Sequence, residues 1–162
     1  MSEIRNYHTM FQRISSTILE LIRLFVQDRG LWRVGKEEGF ELLREMFQRI
    51  SESYEIPTPS LIEASYEHYL VPADRIGLPR VSLVSALHEY RHHMQKYSKQ
   101  HYPDIEVDAR AWSISAFHGA MPEAFESSWN AGKFGIFLLT QPHKGGRCGL
   151  RNPLEHVYFC AD

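Results

Sequence analysis

A histidine–glutamate pattern stands out in the segment "ALHEYRHHMQ", residues 86–95, where His88, Glu89 and His92 follow the order H-E-x-x-H. On a helix, residues four apart share one face, with Cβ atoms about 5–6 Å apart. Two imidazoles at that spacing can each place a nitrogen about 2.0–2.1 Å from one zinc ion. Glu89, about a quarter-turn further round the helix, can take a proton from a water molecule whose pKa the metal lowers. The spacing is typical of a zinc hydrolase.

A third ligand is needed, and "IEVDARAWS", residues 105–113, contains the pattern E-x-x-A from Glu106 to Ala109. A glutamate here completes a His₂Glu set and leaves a fourth position for water, as in catalytic zinc sites. Ala109 is small enough to let its helix approach the helix of the two histidines. Asp108 is the competing ligand. Glu106 also has a structural explanation, since a carboxylate in the first turn of a helix is favoured by the helix dipole.

The two segments "SLVSALHEYRHHMQ" and "IEVDARAWS" together resemble the gluzincin class of zincin metallopeptidases. They are most similar to the small versions found in bacterial, phage and mobile-element proteins, including antirestriction-type metallopeptidase domains. The preceding "YLVPADRIGLPRVS" resembles the strand or hairpin that such domains place before the active-site helix. The resemblance covers about residues 61–118. It implies that His88, His92 and Glu106 bind zinc and that Glu89 is the catalytic base.

The chain departs from the thermolysin-like pattern one turn after Glu106, where Arg110 replaces the aspartate that orients a histidine. Another carboxylate would have to do this, and Asp108 and Glu126 are candidates. Peptide hydrolysis also needs a donor for the developing oxyanion. The side chains of suitable type are His118, Tyr69, His143 and His156.

The histidines should lie on a helix from about residue 82 to 97, capped at its start by Ser82. Its core stripe is expected to be Leu83, Leu87, Tyr90, Met94 and Tyr97. A neighbouring stripe, which could line a cleft, consists of Val84, His88, His92 and Gln95. His93 points away from the cleft stripe and is expected to face solvent.

Other elements follow from apolar periodicity and from proline and glycine positions. Helices are expected at about 7–27, 37–53, 105–118 (ended by Gly119) and 123–131. Strands are expected near 65–71, 75–78, 134–140 and 156–160. The sum is an α+β, zincin-like fold with several helices and a small, mostly antiparallel sheet. We expect a single domain over residues 1–162, with an N-terminal helical part at 1–55 and a zincin-like metal-binding core at 56–162.

Composition limits the partners. The formal net charge of the 162 residues is −2, so no strong field attracts nucleic acid or an anionic membrane. A basic loop at 143–151 matches no phosphate-binding signature.

The only cysteines, Cys148 and Cys160, are too few for a disulfide framework, and with His143 and His156 they fit no zinc-knuckle spacing. The N-terminus has no signal-peptide pattern and no apolar run is long enough to span a bilayer, so a cytoplasmic protein is expected.

The function that these patterns favour is a zinc-dependent metallohydrolase, most simply a metallopeptidase that uses Zn²⁺ and acts on a protein or peptide substrate. The alternative is a non-catalytic zincin-fold protein with a regulatory or interaction role. A nucleic-acid-binding accessory factor is a third hypothesis, against which the near-neutral charge argues.

Overall fold

A computed structural model describes residues 13–131, apart from the side chain of Trp129. In chain order the helices are α1 (Ser16–Arg23), α2 (Lys36–Tyr54), α3 (Leu83–Tyr97), α4 (Ile105–Ala120) and α5 (Pro122–Asn130). The strands are β1 (Ser60–Glu63), β2 (His68–Leu70) and β3 (Arg75–Leu78). The α+β class is therefore confirmed. The expected helical residues 7–12, the strands at 134–140 and 156–160 and the basic loop at 143–151 lie outside the described residues.

The first two helices pack an apolar stripe each into the core. Helix α1 is capped by Ser15, whose hydroxyl accepts a hydrogen bond from the Ile18 amide at 3.4 Å, and it continues as a π-helical segment over Leu24–Asp28. Helix α2 agrees with the predicted 37–53 to within one residue at each end. It ends at Glu55, whose φ of 55° lies in the left-handed region, just before the proline-containing segment that cannot continue a helix.

The sheet differs from the expectation of a mostly antiparallel one. Its strand order is β1-β3-β2, with β1 parallel to β3 and β2 antiparallel to β3, so it is a mixed sheet. The difference arises from β1, which sequence reasoning missed because it begins immediately after Pro57 and Pro59. A proline just before a strand removes no hydrogen bond from the ladder. Strand β2 is shorter than the predicted 65–71, while β3 matches 75–78.

The predicted active-site helix is α3. Ser82 caps it, accepting a hydrogen bond from the Ser85 amide at 3.4 Å. Of the predicted core stripe, Leu83, Leu87 and Tyr90 are buried as expected, whereas Met94 is half-buried and Tyr97 is exposed. The Tyr90 ring stacks on Phe47 of α2 with ring centres 5.2 Å apart. These contacts fix the rotation of α3 about its own axis, which decides where its histidines point.

Helix α4 continues through the residue that was expected to end it. Gly119 lies inside the helix, where a Cβ atom would come within 3.0 and 3.1 Å of the Leu19 methyl groups of α1. The missing side chain is thus used for close packing rather than for ending the helix. Arg23 of α1 donates hydrogen bonds to the Ala120 and Gly119 carbonyls, at 2.9 and 3.4 Å, and so satisfies the last turn of α4. None of the helices in the described part of the chain has the length and apolarity needed to cross a membrane.

Candidate metal centre

Helices α3 and α4 pack against each other and bring three side chains together. The His88 Nε2 and His92 Nε2 atoms are 3.3 Å apart. The Glu106 carboxylate lies across from both, with Oε2 at 3.2 Å from His88 Nε2 and Oε1 at 3.0 Å from His92 Nε2. Among the described residues, these three form the one group of histidine, cysteine and carboxylate side chains whose ligand atoms could share a metal ion.

The start of α4 fixes the position of Glu106. Asp104 caps the helix, and one of its carboxylate oxygens accepts hydrogen bonds from the Glu106 and Val107 amides at 3.0 and 3.1 Å. The cap satisfies amides that a helix start otherwise leaves without partners. Glu106 is therefore held in the first turn, with its side chain directed at α3. Ala109, one turn later, is fully buried, in keeping with the close approach predicted for it.

The donor set fits a divalent cation. Ligand atoms bound about 2.0–2.1 Å from a tetrahedral zinc ion are about 3.4 Å from each other, and the observed separations of 3.0, 3.2 and 3.3 Å lie close to this value. Two imidazole nitrogens and a carboxylate are also the mixed nitrogen and oxygen set that zinc accepts. Three protein ligands leave one tetrahedral position for a solvent or substrate molecule.

The electrostatics of the group agree with a carboxylate that stays ionised. Hydrogen bonds from His88 and His92 hold the pKa of Glu106 well below its usual range. Burial lowers the pKa of His88, which favours the neutral ring that binds metal. Burial also acts to lower the pKa of His92, but hydrogen bonds to Glu106 and Gln95 outweigh it and the pKa is raised. A positive charge between these groups is therefore stabilised.

Glu89 lies beside the three ligands but outside their group. Only 6% of its surface is exposed. Burial raises the pKa of Glu89 to about 7, with repulsion from Glu106 and Glu67 adding to the rise and His92 opposing it. A carboxyl group with a pKa near neutrality can both accept and release a proton at physiological pH. This is the property that a general base in this position needs.

The four side chains open into a cleft of about 490 Å³ between α3, α4 and β2. Glu67 and Val71 also line this cleft. A slightly larger groove, of about 560 Å³, lies between α2 and β1 and is lined by no histidine or cysteine. Of these two clefts, the smaller one is therefore the one whose side chains could bind a metal ion.

Asp108, the competing ligand, lies outside the metal group. Its carboxylate accepts two hydrogen bonds from Arg91, at 2.7 and 3.2 Å, and one from the Gln95 amide at 2.8 Å. The structure therefore brings Glu106, not Asp108, to the histidines. Glu126, the other carboxylate considered for orienting a histidine, is exposed on α5. Arg110, which replaces the expected aspartate, is buried, with 4% of its surface exposed.

The expectation that His93 faces solvent is wrong, because the residue is fully buried. Its Nε2 atom donates a hydrogen bond to the Pro57 carbonyl at 2.6 Å, and its Nδ1 atom lies 3.0 Å from the Tyr69 hydroxyl. The signal was present in the sequence, since His93 comes three residues after the buried Tyr90 and therefore lies on the same face of α3.

The two oxyanion-donor candidates that the structure describes, Tyr69 and His118, do not join the metal group, although Tyr69 lines the same cleft. The Tyr69 hydroxyl donates to Asp74 at 2.9 Å and contacts His93, and the His118 ring packs edge-on against Phe125 with centres 4.9 Å apart. His143 and His156 lie outside the described residues. Sequence reasoning placed Gln95 on the cleft stripe without a role; in the structure it contacts His92 directly.

The chain matches no protein-family model, and comparison with curated proteins and with solved structures finds no match either.

Proposed function

We propose that this protein is a zinc-dependent metallohydrolase with a zincin-like fold, most simply a metallopeptidase. The observation that carries the proposal is the convergence of His88, His92 and Glu106 from two helices within ligand distance of one another, with the buried Glu89 alongside. The separations fit a tetrahedral cation, and the neighbouring carboxyl group has the proton affinity of a general base.

Zinc held in this group would lower the pKa of water and polarise a substrate carbonyl. Glu89 accepts the proton of the attacking water through its carboxylate, since burial raises its pKa to about 7. The same carboxyl group then donates that proton to the departing amine. Burial of Glu89 also keeps bulk water from competing for the proton.

The cleft suits an extended substrate. Within residues 13–131, β2 is an edge strand of the sheet, so its outer backbone groups could pair with a peptide chain. Val71 and Ile105, both more than half exposed, give the rim an apolar character that fits peptide side chains. A cytoplasmic location remains part of the proposal, because the two cysteines of the chain are too few for the disulfide framework of a small secreted protein.

The test is hydrolysis of an unfolded protein substrate by the zinc-loaded wild type and by Glu89→Gln. The substitution keeps the side-chain shape but removes the proton acceptor, so we expect zinc to be retained and the rate to fall by at least about 10²-fold. Glu123→Gln is a matched control, because Glu123 is exposed on α5, and its rate should equal that of the wild type. Equal rates for Glu89→Gln and the wild type would contradict the proposal.

The second candidate is a zincin-fold protein that binds metal but works through a partner. The observation that favours it is that Tyr69 and His118, the described candidates for the oxyanion donor, are engaged by other residues. In that case Glu89→Gln leaves biological function intact, whereas loss of function in this variant alone excludes the candidate.

A further inference from the structure

A chain of hydrogen bonds leads from His92 away from the metal group. The His92 Nδ1 atom lies 2.8 Å from the Gln95 Oε1 atom. The Gln95 amide nitrogen donates to the Ile105 carbonyl at 2.9 Å and to the Asp108 carboxylate at 2.8 Å. Gln95 therefore connects a histidine of α3 to the first turn of α4, next to Glu106.

The chemistry of these partners leaves one orientation for the Gln95 amide. A backbone carbonyl and a carboxylate can only accept hydrogen bonds, so both must face the amide NH₂ group. The amide oxygen then faces His92, and an oxygen can only accept. The Nδ1 proton of His92 therefore faces Gln95, and when a cation takes the place of the Nε2 proton that bonds to Glu106, the neutral ring presents the lone pair of Nε2 to it.

The end of this series of hydrogen bonds farthest from His92 is Asp108, which is held by an ion pair. Asp108 and Arg91 have side chains only 14% and 11% exposed and are joined by two hydrogen bonds. The Arg91 guanidinium also lies over the Trp112 and Tyr102 rings, 5.5 Å from each centre. Because Asp108 and Arg91 already hold each other in place, their side chains lose little conformational entropy when Gln95 donates a hydrogen bond to Asp108.

We propose that Gln95 is the positioning residue of the metal centre, taking the place of the carboxylate that would normally orient a ligand histidine. It acts through His92, selecting the ring tautomer and the ring angle that direct Nε2 to the cation, while Asp108 and Arg91 hold Gln95 itself. The inference rests on the proposed metal site but not on hydrolysis.

The test is zinc affinity, measured by competition with a chromophoric chelator. Gln95→Met keeps side-chain length but has neither acceptor nor donor, and we expect zinc binding about 10- to 100-fold weaker. Gln95→Glu keeps an acceptor oxygen for His92 but sets its second oxygen against the Ile105 carbonyl and the Asp108 carboxylate, so it should lose less affinity than Gln95→Met without reaching the wild-type value. Gln48→Met is a matched control on an exposed face of α2, where Gln48 bonds to Glu52 at 3.2 Å, and should bind zinc as the wild type does.

A second readout separates positioning from general stability. In ¹⁵N and ¹H spectra of the zinc-bound chain, the Nδ1–H signal of His92 should have the shift of a hydrogen-bonded proton in the wild type and in Gln95→Glu, and Gln95→Met should lose this shift. If Gln95→Met does not unfold cooperatively, Asp108→Asn tests the same series of hydrogen bonds from the Asp108 end. We expect this variant to bind zinc several-fold more weakly and still to unfold cooperatively on heating.

The outcomes are distinct. Wild-type affinity in a folded Gln95→Met or in Asp108→Asn overturns the inference and leaves the metal site standing. Equal losses of affinity in Gln95→Met and Gln95→Glu, with an unchanged Nδ1–H signal, would also overturn it by assigning Gln95 a packing role only. A wild type that binds no zinc removes the proposed function together with this inference.

Discussion

The Nε2 atoms of His88 and His92 lie 3.3 Å apart, one turn from each other on α3, and both face the carboxylate of Glu106. Electron-pair donors at this separation attract a cation between them, and the pKa of Glu106 is held low by the same two rings. The three side chains therefore link α3 to α4, and metal binding should depend on the packing of these two helices.

Zinc should stabilise the folded chain, because the site exists only when α3 and α4 are packed together. At free zinc 100-fold above the dissociation constant, the free energy of unfolding should rise by about 2.7 kcal/mol. Thermal unfolding with zinc and with a chelator measures the effect. His92→Ala removes one ligand and should show a much smaller zinc-dependent shift; the same shift in this variant and in the wild type would argue against the site.

Asp74 should make the stability of the fold depend on pH in the acid range. Burial acts to raise its pKa, but hydrogen bonds from Lys96, Tyr97 and Tyr69 outweigh it and lower the pKa to about 2. A lowered pKa means that the stabilisation is fully present above the unfolded pKa, about 3.9, and is lost as the pH falls toward 2. Asp74 also has a φ of 46°, a conformation that asparagine tolerates.

We therefore expect Asp74→Asn to lower the free energy of unfolding by about 1–2 kcal/mol at pH 7. The difference from the wild type should shrink as the pH falls from 4 toward 2, because the Asp74 carboxylate is progressively protonated over that range. Urea unfolding at several pH values measures it. A difference that stays constant down to pH 2 would show that the charge of Asp74 does not contribute to the stability of the fold.

The hydrogen bond between Ser51 and Tyr90 holds α3 against α2 from inside the core. The two oxygens are 2.8 Å apart and both residues are fully buried. Tyr90→Phe leaves a buried hydroxyl without this partner, so we expect a loss of about 1–3 kcal/mol. Adding Ser51→Ala removes that hydroxyl too and should recover part of the loss. A double-mutant cycle by urea unfolding measures the coupling, and additive losses would contradict it.

Gly39 allows α2 to approach Val81, which lies just before the start of α3. A Cβ atom at this position would come within 2.7 and 3.1 Å of the two Val81 methyl groups. Alanine normally stabilises a helix relative to glycine by about 1 kcal/mol, but here we expect Gly39→Ala to destabilise by about 1–3 kcal/mol. Gly35→Ser is the control, since nothing lies within 4 Å of a Cβ atom there, and it should be neutral or slightly stabilising. Thermal unfolding distinguishes the two, and a more stable Gly39→Ala would contradict the close approach.

Local patterns were enough to predict α3 and the meeting of His88, His92 and Glu106. The H-E-x-x-H spacing fixes a common helix face, Ser82 fixes where the helix begins, and the connector after His92 is long enough to return the chain. These features depend on residues close in sequence, so physical rules about helices reach them.

The parallel pairing of β1 with β3 could not be predicted, because it joins segments whose register depends on the rest of the fold rather than on their own residues. Gly119 shows the same limit, since its role comes from Leu19, a hundred positions away in the sequence. The contact of Gln95 with Asp108 likewise needs the relative position of two helices. His93 was different: its burial was readable from Tyr90 and was missed.

The sharing of one metal ion by α3 and α4 is tested most directly by the zinc content of the purified chain beside that of Glu106→Ala. We predict about one zinc per chain in the wild type and little or none in Glu106→Ala. In Glu123→Ala, which removes an exposed glutamate of α5, the zinc content should stay at the wild-type value. A wild type without stoichiometric zinc, or a Glu106→Ala variant that retains it in full, would contradict the claim that these two helices share one metal ion.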